Sequence, residues 1–65
     1  MVTKKIGRYQ VFGSNGHFIV SRFDGYEYRV MHSVPSYTTL NGAVRKATAL
    51  HRQDVKNGIK VKVPK

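Results

Sequence analysis

Two dipeptides, Asn15-Gly16 and Asp24-Gly25, stand seven residues apart in the stretch SNGHFIVSRFDGYEYRVMHS, and no other feature constrains the fold as strongly. Both central residues of a type I′ turn need positive φ, which Asn, Asp and Gly tolerate, so each dipeptide marks a β-hairpin. The flanking segments, residues 4–12, 17–23 and 26–32, are rich in β-branched and aromatic residues and read as three strands of an antiparallel meander.

Pro35 cannot continue a ladder and biases Val34 to extended geometry, so the sheet pattern stops there. Thr38 or Thr39 can cap a helix over residues 39–56, and Asn57-Gly58 supplies a left-handed stop. Leu40, Ala43, Val44, Ala47 and Leu50 recur at helical spacing and make one apolar stripe. Residues 59–63, IKVKV, alternate apolar and basic residues as a half-buried strand does, so they form a possible short fourth strand or an arm that orders on binding. The expected fold is therefore α+β: one domain over residues 1–65, a three-stranded meander followed by a C-terminal helix.

Two-residue turns fix the register, and register fixes which side chains share a face. Pairing outward from Asn15-Gly16 sets Phe12 opposite Ile19, Val11 opposite Val20, Gln10 opposite Ser21 and Tyr9 opposite Arg22. Pairing outward from Asp24-Gly25 sets Phe23 opposite Tyr26, Arg22 opposite Glu27, Ser21 opposite Tyr28 and Val20 opposite Arg29. One face then collects Phe12, Ile19, Phe23, Tyr26, Tyr28 and Val30, with His17 and His32 facing each other at its end. The second collects Tyr9, Val11, Phe18, Val20 and Met31 with Arg22, Glu27 and Arg29. A single helix covers only one face. Desolvated charges on central rungs are costly, so the first face is expected to pack on Leu40, Val44, Ala47 and Leu50, leaving the second open.

Charge says what an open face would meet. Twelve Lys and Arg oppose only Asp24, Glu27 and Asp54, a formal net charge of +9. Such an excess repels itself in a compact domain and points to an anionic partner, nucleic acid first. There is no cysteine, hence no disulfide or thiolate metal site. His17, His32 and His51 lack the short spacing of zinc ligands, and no cofactor is expected. No apolar run suits a membrane, and no apolar segment follows Met1-Val2-Thr3-Lys4-Lys5, so a soluble cytoplasmic or nucleoid-associated protein is expected.

On the second face, Arg22 and Arg29 are candidate base readers beside Tyr9, because arginine pairs bidentately with guanine in the major groove. Lys4, Lys5, Arg8, Arg45, Lys46 and Arg52 are candidate phosphate contacts. Arg22 has a blander role open to it, a cross-strand ion pair with Glu27.

The layout, GRYQVFGSNGHFIVSRFDG leading through a third strand to SYTTLNGAVRKATALHRQ, resembles the strand-strand-strand-helix DNA-binding domains of plant ethylene-response factors and of tyrosine-recombinase arm-binding modules. Thr39-Leu40-Asn41-Gly42-Ala43 matches the T-x-x-x-A stretch that opens the supporting helix in those families. The resemblance implies a sheet lying in the major groove of duplex DNA, in preference to RNA, with a reading role for Arg22 and Arg29.

Two rivals share the composition. GSNGHFIVSRFDG is loosely similar to small messenger-RNA interferase toxins, in which His17 would be the general base. A phage or mobile-element protein that docks on an acidic host protein would carry the same basic, part-apolar surface, and a homodimer could bury the open face. The leading expectation is a non-enzymatic nucleic-acid-binding protein with no catalytic residues.

Overall fold

The computed structural model describes residues 2–63 and contains four antiparallel strands, β1 (Val2–Ile6), β2 (Tyr9–Ser14), β3 (His17–Phe23) and β4 (Tyr28–Val30), followed by α1 (Leu40–Lys56). The sheet order is β1-β2-β3-β4. The chain is thus α+β, with a four-stranded sheet and one C-terminal helix. The expected first strand, 4–12, is two strands, because Gly7 adopts φ +57 and turns the chain back between paired Ile6 and Tyr9. Glycine at the first position of a two-residue turn is the signature of the primed hairpins.

At Asn15-Gly16 both residues have positive φ, 51 and 81, and the β2–β3 register matches the predicted one rung for rung. At Asp24-Gly25 it does not. The Asp24 carboxylate accepts the N–H groups of Tyr26 and Glu27, both at 2.8 Å, and this local capture closes a four-residue loop instead of a two-residue turn. Phe23 therefore pairs with Tyr28, Arg22 with Arg29 and Ser21 with Val30. The slip of two residues preserves which face each side chain joins but changes its neighbours: Arg22 meets Arg29 rather than Glu27. His17 pairs with Ser14, and His32 lies beyond β4, so the expected histidine pair does not form.

Thr39 caps α1, its side chain accepting the Gly42 N–H at 3.1 Å. At the other end Gly58 takes φ +71, its N–H reaching the Val55 carbonyl while Ile59 N–H reaches Asp54. This is the Schellman arrangement, and it spends the Ile59 amide on closing the helix. Residues 59–63 join no ladder; the fourth strand is Val2–Ile6 at the other end of the chain. Before the helix, Phe18 and Tyr37 exchange two 2.8 Å backbone bonds that return the chain to the sheet.

The helix packs against β2, β3 and β1, and the face it covers is the opposite of the one expected. Tyr9, Val11 and Val20 form the core with Ala43 and Ala47; Ile6, Phe18, Met31, Leu40, Val44 and Leu50 surround them. Two facts reverse the assignment. The extra strand adds Ile6 to that face beside Tyr9, and the slipped register moves Arg29 from the central Val20 rung to the β4 flank, where both it and Arg22 stay in solvent. Burying this face therefore desolvates neither guanidinium, so the expected penalty vanishes. On the opposite face Phe23 is buried beside Tyr28, but Phe12, Ile19 and Tyr28 are only half-buried and Val30 is 43% exposed.

Replacing Val11 or Val20 by Ala should each cost about 2 kcal/mol, whereas Val30→Ala should stay within about 0.5 kcal/mol. Urea unfolding of the three variants checks this, and a larger loss at Val30 would return the core to the other face.

Candidate nucleic-acid interface

The three side-chain carboxylates are all held by two arginines. Arg8 grips Asp54 through both oxygens, at 2.7 and 3.0 Å, and the pair is largely buried between the first turn and the helix end. Arg29 holds Asp24 at 2.7 Å and Glu27 at 3.0 Å on the surface. Backbone N–H groups from Glu27 and Tyr26 hold the Asp24 carboxyl below its ordinary range, with Arg29 adding to the effect. The Arg8 guanidinium does the same for Asp54 and is itself held more firmly protonated in return.

This arrangement sorts the expected contact residues. Tyr9 is 2% exposed, a core residue whose phenol burial pushes up, so it cannot touch a partner at the surface. Arg8 is committed to Asp54 and supplies structure, while Arg29 anchors the β3–β4 loop. Arg22 is exposed and faces Arg29 across the strands, with no carboxylate within reach among the described residues. Like charges directly opposite one another destabilise a sheet, and here Asp24 and Glu27 offset only the Arg29 side. Lys4 and Lys5 are exposed on β1 and, as strand neighbours, point to opposite faces; Lys5 sits 5.7 Å from the Tyr28 ring centre.

The helix carries the most coherent cationic row. Ala43, Ala47 and Asp54 face the sheet, which directs Arg45, Arg52 and Lys56 outward, all exposed and without a carboxylate partner among the described residues. Their spacing of seven and four residues puts them along one side of a 3.6-residue helix. Lys46 is half-buried toward the flank. Beyond the helix, Lys60 and Lys62 continue the exposed charge along the tail. Lys56, Lys60 and Lys62 were not among the contacts expected from sequence, where residues 59–63 read as a short fourth strand or an arm that orders on binding. The signal for all three was the absence of any acid from the chain after Asp54.

Among the described residues no three His, Asp or Glu side chains gather as a metal site would require, and no helix is long and apolar enough to cross a membrane. Compared with known proteins, the chain matches no family model, no curated protein and no solved structure.

Asp54→Asn should cost about 2 kcal/mol near neutral pH, the worth of a charge-assisted pair. The folded carboxyl titrates below its ordinary value, so its contribution is present above the unfolded carboxyl pKa, about 4, and is lost as pH falls through the lower folded value. Stability measured from neutral pH into acid should therefore decline less steeply in Asp54→Asn than in the parent, the remaining slope coming from groups such as Asp24.

Proposed function

We propose that this chain is a small non-enzymatic nucleic-acid-binding protein that grips duplex DNA chiefly through its phosphates. The observation that carries this reading is the segregation of charge. Two arginines absorb every side-chain carboxylate, and the outer side of α1 is left with Arg45, Arg52 and Lys56 in a row that no acid interrupts. A polyanion relieves the resulting repulsion and releases its own counterions on binding. Arg22 and Lys4, exposed on the sheet face that the helix packs against, extend the contact beside α1, so phosphates rather than base edges dominate affinity.

Catalysis draws no comparable support. His17 is exposed beside the Asn15-Gly16 turn, opposite Ser14, and the carboxylates that orient a general base elsewhere are occupied by Arg8 and Arg29. A second reading, capture of an acidic protein, has one observation in its favour: the half-exposed Phe12, Ile19 and Val30 of the uncovered sheet face.

Mobility shifts with a blunt duplex across a salt series test the proposal. Binding should weaken steeply as salt rises. The triple change Arg45→Gln, Arg52→Gln, Lys56→Gln should lower the log-log slope by about three and leave stability within about 0.5 kcal/mol. RNA should survive incubation with the protein, and His17→Ala should leave binding unchanged. No duplex shift at low salt would sink this reading and favour the acidic protein partner.

A further inference from the structure

Resting on that reading, we propose that the groove between the Gly7–Arg8 turn, the end of α1 and the tail 59–63 is a cleft for a single unpaired nucleotide. The groove has a volume of about 660 Å³, within the range of about 300–1,000 Å³ typical of small-molecule sites. Its lining combines the two features a nucleotide needs. Ile59, Val61 and Val63 provide apolar wall for a base, while Lys60 and Lys62 line the same groove and remain exposed to meet a phosphate. Gly7 leaves one side without a side chain, and His51 stands against it.

The groove also holds uncommitted hydrogen-bonding groups. Arg8 spends its Nε and one terminal nitrogen on Asp54, leaving the second terminal nitrogen as a donor. The Ile59 amide is used by the helix end, but among the described residues no backbone hydrogen bond ties residues 60–63 to the rest of the chain. A segment outside any ladder, with unspent N–H and C=O groups along an apolar wall, can meet the edge of an unstacked base. A base inside a duplex has its Watson–Crick edge paired and its faces stacked, so the cleft selects a strand end, a flap or a flipped nucleotide. Inorganic phosphate alone would leave the apolar wall unused.

The test is an amide-resolved NMR titration of the full chain with adenosine 5′-monophosphate, ribose 5-phosphate and polyglutamate, run beside the blunt-duplex mobility shift. The nucleotide should move the Gly7, His51 and Val61 signals and bind about tenfold more tightly than ribose 5-phosphate, as expected where a base adds its own contact. Changing Lys60 and Lys62 together to Gln should weaken the nucleotide by about tenfold, while the duplex, held elsewhere, weakens by about threefold or less. Equal responses to nucleotide and ribose 5-phosphate, or a response at this groove to polyglutamate alone, would overturn the cleft. Retained duplex binding without any nucleotide response would overturn the cleft and leave the function standing; loss of both overturns both.

Discussion

The bidentate contact between Arg8 and Asp54 joins residues 46 apart in sequence, one in the first turn of the sheet and one near the end of α1. A domain of 65 residues has little apolar surface to bury, and here the fully covered side chains are mostly Val and Ala. The ion pair fixes what so small a core leaves loosely specified: the end of the sheet at which the helix finishes. With that point set, the helix runs back toward the Asn15-Gly16 end, where Thr38 passes beside Gly16. Its inward side is then committed to the sheet and its arginines to solvent.

That pair also governs the electrostatics. A chain with three acids and a net charge of +9 could scatter its few ion pairs over the cationic surface. Instead one acid lies in the interior seam and two sit in a single loop, each beside an arginine whose charge it offsets. The outward row on α1 stays undiluted, and the repulsion within it is what a polyanion would relieve.

Much of this was legible from residue order. The Asn15-Gly16 register, the Thr39 cap, the Asn57-Gly58 stop and the inward helical stripe all follow from local rules in which backbone conformation and side-chain chemistry agree. The misreadings have specific sources. Asp24-Gly25 offered two closures, a type I′ turn and a side-chain capture of backbone N–H groups, and a dipeptide rule cannot rank them. Gly7 lies inside a run that otherwise reads as strand, with no partner residue to mark a turn. The choice of face depended on both at once, because the slipped register and the extra strand each removed a reason for keeping Tyr9 and Val20 exposed. Arg8 and Arg29 read from sequence as unpaired cations because sequence counts charges, whereas the fold shows which acid each one meets.

Gly7 illustrates how few substitutions such a small fold tolerates at its joints. Its positive φ already strains any residue with a side chain, and the space a Cβ would fill is occupied by the His51 ring. The strain belongs to the turn and the collision to the packing of turn against helix, so relaxing either one leaves the other in place. A neighbouring change could rescue a bulkier residue there only by altering the turn and moving the histidine together. Two simultaneous changes are a rare step in a drifting lineage, and this position therefore stays closed to most single mutational paths.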